Sequence, residues 1–186
     1  LDIPLQHIAD NQLRLMRRRI TKAETEELVA RLRREIPDIA LRTTMLVGFP
    51  DESEEDFEEL CDFVSRVRFD RLGAFAYSEE EGTPSALHLE DNVPEEVKEE
   101  RVERLMKIQK RISLALNAER VGKQMRVIID RTEGDFYIAR SQYDSPEVDE
   151  EILIPTTTPL EAGDMVTVRI TDCEEYDLYG EVVTEK

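Results

Sequence analysis

The sequence predicts two folded parts: an α/β unit with a parallel sheet over residues 1–119, ending in a long helix, and a small all-β unit over 120–186. Three observations predict this. Apolar, β-branched runs alternate with amphipathic helical stretches over residues 1–78, the pattern of a parallel α/β sheet. Residues 94–119 then carry apolar side chains at helical spacing behind Pro94. From Val121 the apolar period falls to two, punctuated by turn residues.

Residues 1–6 read as a short strand, and a helix follows around Asn11–Arg19. Leu13 and Met16 mark its apolar side, while Arg14, Arg17, Arg18 and Arg19 crowd the rest. Thr21 with Glu24 forms a capping-box pattern for a second helix, which runs to about Glu35 with Leu28, Val29, Leu32 and Ile36 on one face. Pro37-Asp38 breaks it. Ile39–Gly48 is a nearly continuous apolar run, as in a parallel strand covered on both faces. Ser53 caps the next helix, whose first turn holds Glu54, Glu55 and Asp56, as the macrodipole favours. Its apolar stripe is Phe57, Leu60, Cys61, Val64 and Val67, and Arg71–Tyr77 supplies a third strand. Three strands cannot close a barrel, and the chain opens without Met on the apolar run Leu1-Asp2-Ile3-Pro4-Leu5. Both features lead us to expect a fragment of a longer protein.

Residues 79–93 read as a polar loop. Pro94 is expected at the first position of a helix reaching about Glu119, with Val102, Leu105, Ile108, Ile112 and Leu116 along one side. Met125–Ile129, Phe136–Ser141, Ile152–Ile154, Met165–Ile170 and Leu178–Val183 follow as short strands, with turns at Glu133-Gly134-Asp135 and Ala162-Gly163-Asp164. We expect a five-stranded antiparallel β-barrel of OB-like type.

Composition narrows the functions. Hydrophobic residues make up 40% and charged residues 37%, so a packed core is affordable to the chain. No apolar run approaches the roughly 18 residues of a membrane span. Cys61 and Cys173, the two cysteines, lie far apart without metal-ligand spacing, so each reads as a small core side chain and a cytoplasmic location is expected. The net charge is −18, and residues 120–186 hold 7 basic and 16 acidic side chains, a net of −9. That sign opposes nucleic-acid binding.

Three segments carry a resemblance to a known family. They are Leu1-Asp2-Ile3-Pro4-Leu5-Gln6-His7 with Leu15-Met16-Arg17-Arg18; Leu46-Val47-Gly48-Phe49-Pro50-Asp51-Glu52-Ser53; and Phe75-Ala76-Tyr77-Ser78 with Glu81-Gly82-Thr83. In this order and spacing they resemble the fourth to sixth strands of the radical-SAM methylthiotransferases, and the final β-unit looks like the TRAM module of that family. One departure stands out: Asp51 occupies a position where the family usually has Gly, so the turn after Pro50 loses backbone freedom. Asp tolerates turns well, so a small geometric change is expected.

The resemblance implies a partial TIM-like half-barrel that, in a full-length enzyme, holds S-adenosylmethionine and two [4Fe-4S] clusters. One cluster would reduce the sulfonium and release a deoxyadenosyl radical that abstracts a substrate hydrogen, and the auxiliary cluster would supply the methylthio group. This chain lacks the Cys-x-x-x-Cys-x-x-Cys motif, so it is expected to bind no cluster and to be inactive by itself. By the same resemblance Gln6, Leu46, Gly48, Tyr77 and Ser78 are cofactor-binding candidates, Gly48 because a bare backbone lets a ring approach. One of Arg17, Arg18 and Arg19 is a candidate for meeting a carboxylate. The plain readings remain beside these: a polar loop start for Gln6, core and a turn glycine for Leu46 and Gly48, a buried Tyr, a solvated arginine face, and a structural hydrogen-bonder for His7. No catalytic residue is assigned.

Within the family, some members modify tRNA and one branch methylthiolates the β-carbon of an aspartate in a small-subunit ribosomal protein. An acidic barrel suits docking of a basic protein substrate. Leu41-Arg42-Thr43-Thr44 and the Ser145-Pro146-Glu147-Val148-Asp149 loop resemble the protein-modifying branch, since tRNA-modifying relatives tend to carry Asp where Thr44 stands. The expectation is therefore the ribosomal-protein branch. The alternatives are a tRNA adenosine methylthiotransferase and a non-catalytic binding module.

Overall fold

The computed structural model describes residues 1–145 and 150–183. It divides into two compact units, Leu1–Ile112 and Ser113–Lys186.

In the first unit the element order is α1 (Asp10–Leu15), α2 (Lys22–Glu35), β1 (Arg42–Val47), α3 (Glu54–Val67), β2 (Arg71–Ala76), α4 (Pro84–His88) and the beginning of α5 (Glu95–Ala118). β1 and β2 pair in parallel from Arg42 opposite Arg71 to Val47 opposite Ala76. Residues 1–6 run beside β1 but join its ladder only through isolated parallel bridges at Asp2–Arg42 and Gln6–Met45. Pro4 explains the gap, because it has no N–H for the ladder. The Thr43 hydroxyl fills in, donating to the Ile3 carbonyl at 2.9 Å and accepting from Leu5 N at 3.4 Å.

The expected helix at Asn11–Arg19 is shorter, ending at Leu15. Arg17 turns left-handed (φ +57°), with its N–H on Arg14 O and the Arg18 N–H on Leu13 O. That is the Schellman pattern with Arg where Gly is usual. Both expected capping boxes form, Thr21 with Glu24 and Ser53 with Asp56. β1 departs from the expectation of two covered faces. Thr43, Met45 and Val47 are buried, whereas Arg42, Thr44 and Leu46 are half-buried. Phe57, Phe63, Phe69, Leu13, Met45 and Leu105 are fully buried in the core of this unit, with Phe63 and Phe69 edge to face at 5.8 Å.

α5 begins at Glu95, so Pro94 precedes it rather than opening it. Its buried face is also rotated from the apolar stripe. Lys98, Arg101 and Gln109 are buried beside Leu105 and Ile112, while Val102 and Ile108 are half-buried. Each polar member has a partner from elsewhere in the unit: Lys98 has Asp91 at 2.7 Å, Arg101 has Glu52 at 2.7 Å, and Gln109 donates to Phe69 O at 2.9 Å.

The second unit is a closed five-stranded barrel of β3 (Gln124–Glu133), β4 (Phe136–Ser141), β5 (Glu151–Pro155), β6 (Met165–Cys173) and β7 (Asp177–Val182), in the order β3-β4-β5-β7-β6. Four pairings are antiparallel, but β5 and β7 run parallel, so the barrel is not wholly antiparallel as expected. Val127, Ile129, Ile152, Ile154, Val168 and Ile170 fill it. The last turn of α5 belongs to this unit, ahead of the 119/120 boundary read from sequence. Asn117 Nδ2 donates to Glu150 Oε1 at 3.0 Å and to Glu174 O at 3.1 Å, tying the helix end to the barrel. Of the 145–149 loop, residues 146–149 lie outside the described residues.

Candidate functional site

Parallel sheets present their chemistry at the C-terminal ends of the strands. In the first unit a cavity of about 490 Å³ opens there, with Gln6, Leu46 and Phe49 on the sheet side. α1 and the residues just after it contribute Arg14, Met16, Arg17 and Arg18. α4 and its end add Pro84, Ser85, His88 and Leu89. The volume is in the range of small-molecule sites.

Gln6 is locked in place by its backbone. It donates to Thr44 O at 2.9 Å and accepts from Leu46 N at 2.8 Å, in a left-handed conformation (φ +72°). Gln6 and Leu46 thus reach one cavity, as Arg17 and Arg18 do, while Arg19 does not line it. Arg18 also donates to Pro4 O at 2.9 Å.

The other three candidates do not line the cavity. Gly48 is buried and left-handed (φ +71°), but its open side faces Lys98, whose Cγ lies 2.3 Å from where a Cβ would stand. The bare backbone accommodates a lysine stem. Tyr77 lies beneath the cavity floor: its ring meets Phe49 edge to face at 4.9 Å, and Lys98 Nζ sits 5.4 Å from the ring centre. Its buried hydroxyl has no hydrogen-bond partner among the described residues. Ser78 is exposed just past the end of β2.

Beneath these residues runs a buried polar network. Glu52 accepts from Gly48 N, His7 Nε2 at 2.9 Å and Arg101 Nη1 at 2.7 Å, and its side chain is fully buried. His7 Nδ1 accepts from Ala9 N at 3.0 Å, so Nε2 carries the proton donated to Glu52. His7 thus makes two hydrogen bonds within the buried interior. Burial pulls the Lys98 ammonium down, but the hydrogen bond and charge of Asp91 outweigh it and hold the group above its ordinary value.

The thiols are not reactive features. Burial pushes the Cys61 thiol up to about 11, the nearby Glu58 adding to it, and burial also raises Cys173. Among the described residues, no three His, Cys, Asp or Glu side chains are placed to hold a metal ion. These residues do not fit an iron–sulfur cluster. The cavity has the volume of a small organic ligand and is lined by Gln6, by apolar side chains and by Arg14, Arg17 and Arg18.

Sequence reasoning missed α4 and its cavity residues Pro84, Ser85, His88 and Leu89. The signal was present in Thr83-Pro84: Thr83 Oγ1 caps Ala86 N, and Pro84 occupies the first turn. Five residues are too few to show a period.

Fold and site together define an α/β unit with a ligand cavity and a separate OB-like barrel. Residues 1–64 match the family model of the radical SAM superfamily, and residues 121–183 match that of the TRAM domain. Over 98% of its length the chain is 56% identical to the ribosomal protein uS12 methylthiotransferase RimO of Parabacteroides distasonis, covering 42% of that protein. It is 54% identical over its whole length to the protein of the same name from Bacteroides thetaiotaomicron, covering 43% of it. The chain thus spans less than half the length of these relatives. Coproporphyrinogen III oxidase (HemN) from Escherichia coli, described as a radical SAM enzyme, is similar in fold over 76% of this chain and 40% of its own. The TM-score is 0.52 at 16% identity. The resemblance read from the sequence is met on both counts, a radical-SAM segment and a TRAM barrel in one chain.

Proposed function

We propose that this chain forms part of a radical-SAM methylthiotransferase that transfers a methylthio group to the β-carbon of an aspartate in ribosomal protein uS12. The observation that carries this reading is identity above 50% along essentially the whole chain, through both units, to relatives that bear that name.

The residues suit such a role. S-adenosylmethionine, bound with iron–sulfur clusters held by other parts of the enzyme, supplies a radical able to abstract a hydrogen atom. Gln6, whose backbone is held by Thr44 and Leu46, offers a side-chain amide donor and acceptor for a polar group of that cofactor. Leu46 and Phe49 are apolar walls that keep water from the reacting face. Glu52, His7 and Arg101 hold the loop after β1 rigid, so that these walls stay in position. Gly48, Tyr77 and Ser78 act behind or beside the cavity, Gly48 by admitting the Lys98 stem. With no cluster ligands at the required spacing, the 186 residues alone do not run the reaction.

The acidic barrel unit favours a basic protein over nucleic acid as its partner, because phosphate contacts need positive charge. The protein acts in the cytoplasm, where ribosomal proteins assemble; no helix among the described residues is long and apolar enough to cross a membrane. The test is an assay with the whole enzyme, loaded with its clusters and offered both uS12 and tRNA. A methylthio mass increase on a uS12 aspartate supports the reading. Modified tRNA beside unmodified uS12 sinks it.

A further inference from the structure

Arg14 and Arg17, at the end of α1, differ from the ion-paired arginines of their unit. Arg31, Arg34, Arg66, Arg101 and Arg104 each lie within 4 Å of a carboxylate. Arg14 and Arg17 have no side-chain hydrogen bond or ion pair among the described residues. Carboxylates outnumber basic groups 43 to 25 in this chain of net charge −18. Both line the 490 Å³ cavity, and no Asp or Glu lines it with them. Arg17 moreover occupies a left-handed position that Gly or Asn fills at lower cost. Helix termination alone does not call for Arg there.

We infer that Arg14 and Arg17 bind the side-chain carboxylate of the acceptor aspartate and so select aspartate over its amide. This rests on the function proposed above. A guanidinium matches a carboxylate with two parallel hydrogen bonds and finds no such match in an amide. The charge of the cavity separates the two available carboxylates. S-adenosylmethionine carries a sulfonium and an ammonium beside its carboxylate, so that carboxylate is already offset by charge within the molecule. The aspartate side chain is a lone anion. Cofactor at the Gln6–Leu46 wall and acceptor at the arginine wall would share one cavity, as a hydrogen abstraction requires.

The test measures equilibrium binding to the whole, cluster-loaded enzyme of a uS12 peptide carrying the acceptor Asp, of the same peptide with Asn, and of S-adenosylmethionine. The variants are Arg14→Met and Arg17→Gly. Glycine suits the left-handed position, so Arg17→Gly is expected to melt no lower than the parent, which separates lost binding from lost fold. The expected result is about tenfold weaker binding of the Asp peptide by each variant. Asn-peptide and S-adenosylmethionine affinities should stay within about twofold of the parent. Parent-like Asp-peptide binding by both variants overturns the inference alone. So does a loss that falls on S-adenosylmethionine instead. If the parent binds neither peptide, the proposed function fails and takes this site with it.

Discussion

Asp51 and Asn92 hold each other in both directions: Asn92 Nδ2 donates to Asp51 Oδ1 at 2.6 Å, and Asp51 N donates to Asn92 Oδ1 at 2.9 Å. Asp51 is left-handed (φ +62°), a conformation that Gly adopts at lower cost. The turn therefore keeps its glycine-like backbone, and Asn92 supplies the hydrogen bonds that offset the strain. Asn92→Ala should lower stability by about 1 kcal/mol, read as a lower urea midpoint. Asp51→Gly should change it by less than about 0.5 kcal/mol, because the relieved strain balances the lost pair. A large loss in Asp51→Gly would mean that the backbone there is not strained.

Glu52 is the buried hub, and removing its charge should be costly. In Glu52→Gln the buried Arg101 guanidinium loses its buried carboxylate and keeps only the longer pair with Glu54, at about 3 kcal/mol. The exposed counterpart is Glu54, whose pairs with Arg101 and Arg104 lie nearer solvent; Glu54→Gln should cost under about 1 kcal/mol. Denaturant unfolding of both variants checks the contrast. Equal losses would show that burial is not what makes Glu52 matter.

In the barrel unit, burial raises the Asp177 carboxyl above its ordinary 3.8, and the charges of Glu151 and Glu174 add to the rise against a hydrogen bond from the Glu151 backbone. A raised acid binds its proton more tightly folded than unfolded. Its ionised form therefore destabilises the fold above the folded pKa, and that penalty fades as pH falls through it toward the unfolded value. Asp177→Asn should raise the melting temperature at pH 7, by a gain under about 1 kcal/mol because the group is partly solvated. Melting curves at neutral pH and below pH 3.5 test this. The gain should vanish in the acid series, and a gain that persists there points to a cause other than charge.

Local signals made much of this fold legible. The two capping boxes, the strand at Arg42–Val47 and the five barrel strands follow from residue types and spacing within a few positions of each other. What escaped was set by partners distant in sequence. The polar face of α5 looks misplaced until Glu52, Asp91 and the Phe69 carbonyl come to meet it. The left-handed Gln6 and Asp51 are held by Thr44, Leu46 and Asn92, all some forty residues away, and the parallel β5–β7 pairing closes over twenty residues of chain. The same holds at the site. Gln6 could be placed from its position past a strand end and Leu46 from the family resemblance, whereas α4 and its wall of the cavity could not.

Gly48 shows where the two kinds of evidence diverge. Its sequence setting suggests a backbone kept bare for a ligand ring, yet the space is filled by Lys98, whose Cγ would lie 2.3 Å from an added Cβ. Gly48→Ala meets two penalties, the clash and the left-handed backbone at φ +71°. Together they should cost about 2–4 kcal/mol in unfolding free energy. Lys98→Ala alone also loses the pair with Asp91 and its stem packing, so it is destabilising too. In the double variant the clash is gone, and the combined loss should fall short of the sum of the singles by at least about 1 kcal/mol. A cycle that closes additively would show that Lys98 does not occupy the space beside Gly48. That space would then be open to a ring, as the sequence alone suggests.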